Sequence, residues 1–174
     1  MEVLEDQIIF EFTGRVNILK KGTNQYLGRI LLKDGELISC EYDKIPGLKA
    51  FYNLIIDEQK LDIHFIIEPE IVNAHDRNMK DKIDFPKFKE KLNLYLAEYN
   101  KSLKLKPPGN LKLSINPNFI QKGEEIFAKE FDILCVISDY SKVDDIYKST
   151  SLVDLEITNA LISLRKKNAL LVLK

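Results

Sequence analysis

The chain has 174 residues, of which 45% are apolar and 30% charged, and its net charge is −1. That length supports one large domain or two small ones with a real core, and the balance excludes a disordered or low-complexity chain. No apolar run approaches the roughly 20 residues that span a bilayer, and the acidic start Met1-Glu2-Val3-Leu4-Glu5-Asp6 lacks the basic region of a secretory leader.

The first elements read as strands. From Phe10 to Ile18 the even positions Phe10, Phe12, Gly14, Val16 and Ile18 alternate with Glu11, Thr13, Arg15 and Asn17, the period of a half-buried sheet. Lys21-Gly22-Thr23-Asn24 reads as a turn. A second strand is predicted over Gln25–Lys33 and a third over Glu36–Tyr42. Asp34-Gly35 between them specifies a two-residue type I′ hairpin, because both central residues need positive φ, which Gly adopts freely and Asp tolerates.

Pro46-Gly47 then breaks the chain, and a helix is predicted over Leu48–Glu58. Leu48, Phe51, Tyr52, Ile55 and Ile56 form one apolar face, and Ala50 and Leu54 extend it to a second side. Only Lys49, Asn53 and Asp57 remain as a polar stripe, so this helix is expected to be covered twice, by the sheet and by another element or another subunit. Leu61, Ile63, Phe65 and Ile67 alternate with Asp62, His64, Ile66 and Glu68 in a fourth strand.

Residues 73–82 read as a polar loop. Phe85, Phe88, Leu92, Tyr95, Leu96, Tyr99 and Leu103 mark a long amphipathic helix whose other face is lysine-rich, ended by the turn or linker Lys106-Pro107-Pro108-Gly109. Asn116-Pro117 adds a break. Helices follow at 124–138 (apolar at Phe127, Phe131, Leu134 and Ile137), around Val143, Ile146 and Tyr147, and after a cap at Ser151 or Asp154. The last helix is apolar at Ile157, Ala160, Leu161 and Leu164, and Ala169–Leu173 is a final strand. This order is that of a winged-helix fold lacking most of its wing.

Charge is uneven along the chain. Residues 1–72 carry 8 Lys/Arg against 13 Asp/Glu, residues 73–123 carry 11 against 5, and residues 124–174 carry 7 against 9. The basic middle fits a solvated helix face, since its aromatic residues fall on the opposite, apolar stripe. Cys40 and Cys135 lie far apart and read as two reduced packing thiols of a cytoplasmic protein. The chain has no phosphate loop, no GxGxxG after a strand, and no HExxH or CxxC. His64, on an outward strand position, and His75, in a loop, read as surface histidines. Glu124-Glu125 and Asp144-Asp145 read as first-turn acids that favour the helix dipole.

The run from Gly28 through Asp34-Gly35-Glu36 to Cys40, followed by Gly47-Leu48-Lys49-Ala50-Phe51, resembles the PatA N-terminal domain family, a bacterial domain of unknown biochemical activity found with response-regulator receiver domains. The matching positions are Asp34, Gly35, Glu36, Ile38, Cys40 (where alanine is usual), Gly47, Ala50, Leu54 and Ile55, with Phe65 in the closing strand. The resemblance spans residues 8–70. The family begins with a helix before the first strand; with only Met1 to Gln7 available here, that helix is expected to be lost or supplied by the one at 85–103. The C-terminal part looks like the winged-helix-type segments that accompany this family. The resemblance implies a signalling or regulatory adaptor of a bacterial cytoplasm and brings no catalytic residues.

The expected fold is α+β: an antiparallel sheet with a packed helix (β-β-β-α-β) at 1–72, a connecting helix and linker at 73–123, and a winged-helix-like domain at 124–174. The expected function is non-catalytic signalling through protein–protein contact, with no cofactor, metal or membrane. Self-association is expected through Ala50, Asn53 and Leu54 of the Leu48–Glu58 helix, giving a homodimer. The alternative is a transcriptional regulator that binds DNA through Arg165, Lys166 and Lys167. Against it, acids occupy the groove-reading end of the last helix, and acids facing phosphates oppose binding.

Overall fold

A computed structural model describes residues 1–79 and 83–173. The chain divides into two compact units, Met1–Asn93 and Leu94–Lys174. Within the segment read as a connector, residues 112–115 pair with the C-terminal strand.

The N-terminal unit is α+β. Its elements are α1 (Glu2–Ile9), β1 (Gly14–Lys20), β2 (Gln25–Lys33), β3 (Glu36–Tyr42), β4 (Ile45–Pro46), α2 (Leu48–Glu58), β5 (Ile63–Pro69), a 3-10 turn at Ala74–Asp76, and the first part of α3 (Phe85–Leu103). The five strands form an antiparallel sheet in the order β4-β3-β2-β1-β5. α2 therefore carries the chain from one edge of the sheet to the other. The second and third strands, the turn at 21–24 and both ends of α2 and α3 stand where the sequence places them.

Asp34 and Gly35 have φ of 50° and 72°, the conformation a type I′ hairpin requires. Gly35 is further constrained: a Cβ there would lie 2.5 Å from the carbonyl oxygen of Ile8, and its N–H donates to Phe12 O at 3.1 Å. Thr13 Oγ1 accepts the Asp34 N–H at 2.8 Å, so the hairpin tip is tied to the loop that follows α1.

Two expectations at the N-terminus are corrected. The leading helix is present as α1, anchored by Leu4 at 2% exposure. The first strand begins at Gly14, not Phe10. Glu11 takes a φ of 51° and turns the chain between helix and strand, which breaks the alternation and leaves Phe10 exposed.

Cross-strand register builds the core in rows. Ile67, Val16, Ile30 and Cys40 align across the sheet, as do Phe65, Ile18, Gly28 and Tyr42. The Tyr42 hydroxyl donates to Asp57 Oδ2 at 3.1 Å, which places α2 over this face. Val16, Ile18, Ile30, Ala50, Phe51 and Leu54 are buried here. On the opposite face, Leu31, Ile38 and Val72 form a small cluster, and Arg15 Nη2 pairs with Glu68 at 2.7 Å.

The second cover of α2 comes from the chain itself. The Phe88 ring of α3 packs at a tilt 5.2 Å from Phe51 and 5.5 Å from Tyr52, ring centroid to centroid, and Lys89 of α3 pairs with Glu5 of α1 at 2.6 Å.

The C-terminal unit contains the end of α3, β6 (Lys112–Ile115), α4 (Pro117–Lys122), α5 (Ala128–Asp139), α6 (Val143–Ser149), α7 (Asp154–Lys166) and β7 (Leu170–Leu173). β6 and β7 pair antiparallel, and Lys112 also bridges to Lys142. The Pro107–Gly109 turn is docked rather than free, since Gly109 O accepts the Asp144 N–H at 3.0 Å. The core joins Ile133, Ile137, Val143, Ile146, Ile157 and Leu164, with Leu113 and Phe119 from the preceding elements. Inside it, the Tyr147 hydroxyl and Thr158 Oγ1 hydrogen-bond at 2.7 Å.

Here the Asn116-Pro117 break is a helix start: Asn116 Oδ1 accepts the Asn118 N–H and proline occupies the first turn of α4, where its missing N–H is harmless. α5 consequently begins at Ala128, and Glu124-Glu125 lie in the loop before it instead of in its first turn. α7 is capped by neither Ser151 nor Asp154: Asp154 is its first residue, and Glu156 Oε2 accepts the Val153 N–H at 3.2 Å.

Candidate functional site

The residues proposed as an interaction surface on α2 do not form one. Ala50 and Leu54 are 0% and 1% exposed, and Asn53 is half-buried. α2 packs on β3 and β4 of the sheet, and Phe88 of α3 covers its neighbouring residues Phe51 and Tyr52.

The basic cluster is also divided. Arg165 and Lys166 are exposed, but Lys167 Nζ pairs with Glu130 Oε2 at 2.7 Å and donates to Glu125 O at 3.0 Å. α7 buries Leu155, Ile157, Thr158, Ala160, Leu161 and Leu164, and before Arg165 only Asn159 is fully exposed. A helix so enclosed has few side chains to offer base edges.

A hollow of about 680 Å³ in the N-terminal unit is lined by Met1, Ile55, Glu58, His64, Phe65 and Leu92 among others. His64 and Glu58 share it, and neither serine, threonine nor cysteine lines it. Among the described residues, no cluster of three or more His, Cys, Asp and Glu could hold a metal ion. No helix among them is long and apolar enough to cross a membrane.

The feature that stands out lies in the C-terminal unit. α4 ends at Gly123, whose φ of 65° turns the chain toward α5. The two helices then enclose a groove of about 390 Å³ walled by Phe119, Ile120, Ile126, Phe131, Leu134 and Cys135. Ile120 is 67% exposed, Phe127 65% and Phe131 59%. Of the apolar face expected for α5, Leu134 and Ile137 are buried as expected, with Ile133 beside them, whereas Phe127 and Phe131 are exposed. Cys135 is an exposed free thiol on the groove wall, not a packing residue, whereas Cys40 is buried. Burial pushes the Cys40 thiol far up, so it stays protonated.

The start of α5, which carries the groove wall, is held by a part-buried ion pair. Glu130, 3% exposed, accepts from Lys167 Nζ at 2.7 Å and from the Phe127 N–H at 2.8 Å through the same Oε2. Burial raises the carboxyl, but the hydrogen bonds from Lys167, Ser163 and the Phe127 N–H outweigh it, and the net shift is downward. Lys167 Nζ also sits 4.8 Å from the centre of the Phe127 ring, within cation–π range. One lysine thus fixes the loop at 125–127 and the start of α5.

Charge around the groove is one-sided. Glu124 lines it, and the exposed Glu125, Asp132 and Asp139 are chain neighbours of lining residues. Of the nearby lysines, Lys129 is committed to Glu156 at 2.6 Å, which leaves Lys122.

No protein-family model, curated protein or solved structure matches this chain.

Proposed function

We propose that this protein is a non-catalytic regulatory module that works by protein–protein contact, and that its contact site is the groove between α4 and α5. The observation that carries this reading is the exposure of Ile120 and Phe131 on the wall of an apolar groove. Large apolar side chains clustered in a groove with a polar rim mark recognition surfaces. An amphipathic helix offers the apolar stripe such a groove takes, and Glu124 on the groove wall, with Glu125, Asp132 and Asp139 adjacent in the chain to lining residues, favours a basic one. The partner is therefore an amphipathic helix whose apolar stripe is flanked by lysine or arginine. The resemblance of residues 8–70 to PatA N-terminal domains supports placing this activity in bacterial signalling. A DNA-reading role is the weaker alternative, given the enclosure of α7 and the commitment of Lys167.

The test is a titration of the isotope-labelled chain with two synthetic helices, one of leucine and lysine and one of leucine and glutamate with the same apolar stripe. Amide shifts confined to residues 119–138, with the lysine peptide only, are expected, and Phe131→Asp should abolish them. Equal binding of both peptides, or shifts located elsewhere, would refute the assignment.

A further inference from the structure

The two edges of the N-terminal sheet are treated differently. Beyond β3, the edge is closed by β4 and by Asn78. Asn78 Oδ1 accepts the Cys40 N–H and its Nδ2 donates to Cys40 O, both at 3.0 Å, and the N–H groups of Asn78 and Met79 reach Ile38 O. At the other edge lies β5, seven residues long and paired only with β1.

Which backbone groups of β5 are open follows from the register. Lys21 N donates to Asp62 O, and the ladder continues without a shift from Lys20–Ile63 to Gly14–Pro69. In an antiparallel ladder hydrogen-bonded and non-hydrogen-bonded positions alternate. Asp62, His64, Ile66 and Glu68 therefore bond to β1, while Ile63, Phe65 and Ile67 direct their N–H and C=O groups away from it. Pro69, which has no N–H, stands in the same outward set. Among the described residues, no backbone hydrogen bond satisfies these outward groups.

Of the usual safeguards of an edge strand, β5 has only Glu68 and the terminal Pro69. β5 contains no lysine, and its ladder has no bulge, unlike the β1–β2 and β2–β3 ladders. Ile66 and Ile67 are 41% and 38% exposed.

We propose that β5 pairs antiparallel with β5 of a second copy about a two-fold axis at Ile66, joining two sheets into one. This register matches outward positions to outward positions. Phe65 faces the partner's Ile67 and exchanges both backbone hydrogen bonds with it, and the Ile63 N–H donates to the carbonyl of the partner's Pro69. Pro69 thus occupies the one place where its missing N–H does least harm. On the open face, Ile66 meets the partner's Ile66, and His64 meets the partner's Glu68. Glu68 is an anion there, held well below the usual carboxylate range by hydrogen bonds from Arg15 and Asn17. The strand sequence is therefore self-complementary in shape and hydrogen bonding about its central residue. This interface uses the N-terminal unit alone and stands or falls separately from the groove between α4 and α5.

Sedimentation equilibrium of the intact chain tests the pairing against the monomer mass of 20.2 kDa. Twice that mass is expected at tens of micromolar. Ile67→Pro removes an outward N–H without touching the β1 ladder, and Ile66→Lys sets two lysines opposite each other. Each should weaken the dimer at least ~10-fold with unchanged circular dichroism. Register is read by oxidation in a Cys135→Ser background. Ile66→Cys should give a disulfide-linked dimer, since Cβ atoms at such a pair lie about 4.5–5.5 Å apart. His64→Cys should not, because the two copies of residue 64 are roughly 13 Å apart along the strands at about 3.3 Å per residue. A monomer at 100 µM, or a dimer that persists in both Ile67→Pro and Ile66→Lys, overturns the proposal. Cross-linking through His64→Cys but not Ile66→Cys overturns the register.

Discussion

Removing the ammonium of Lys167 leaves Glu130 as a buried carboxylate with no counter-charge. Glu130 is 3% exposed, its Oε2 lies 2.7 Å from Lys167 Nζ, and its Oε1 is buried without a hydrogen-bond partner. Breaking a buried pair on one side costs about 3–5 kcal/mol. Because the Phe127 N–H and Ser163 still donate to Glu130, Lys167→Met should fall near the lower figure. Replacing both partners, as Glu130→Gln with Lys167→Met, should recover about 2 kcal/mol of that loss, since a neutral pair carries no uncompensated charge. The sign of the pH dependence follows from the lowered carboxyl. A folded-state pKa below the unfolded one contributes stability above the unfolded value, near 4.3, which is lost as pH falls through the folded value. The deficit of Lys167→Met relative to the native chain should therefore be largest near pH 7 and shrink toward pH 4. Urea titrations followed by far-ultraviolet circular dichroism at both pH values measure it, with tyrosine fluorescence as a second probe because the chain has no tryptophan. A deficit under 1 kcal/mol at pH 7, or one that grows on acidification, would refute the idea that this ion pair holds the start of α5.

Two further outcomes test other parts of the structure. Gly35→Ala should destabilise the N-terminal unit by about 1–3 kcal/mol in the same urea assay, because it combines a φ of 72° with a Cβ placed 2.5 Å from Ile8 O; Asp34→Asn, which tolerates the same φ, should be near neutral. A thiol reagent should titrate one cysteine in the native chain and two in urea, because Cys135 is exposed and Cys40 is buried with its thiol pushed far up. Protection of Cys135 by the leucine–lysine helix would place that peptide in the groove.

What the sequence determined by itself is local. Asp34-Gly35 specifies a turn whose φ values only a few residues tolerate, so β2, β3 and the hairpin between them follow from the residues alone. α2 and α3 likewise carry a 3.6-residue apolar period strong enough to set their ends. Shorter elements lose this advantage. α1 and α4, of eight and six residues, show too few turns for a period to emerge, and the left-handed Glu11 that separates α1 from β1 has no composition signal.

Only the tertiary structure decided which apolar surface was left over. The sequence shows that α2 needs two covers but cannot say that Phe88 provides the second, because that contact joins residues 37 positions apart. It gives α5 one apolar stripe through Phe127, Phe131, Leu134 and Ile137, of which the fold buries only Leu134 and Ile137 and adds Ile133. That choice depends on where α7 and Lys167 lie. Periodicity states how much of a helix is apolar. Which side faces water is fixed by neighbours brought close through the chain's fold, and in this protein that choice opened the α4–α5 groove and closed the surface of α2.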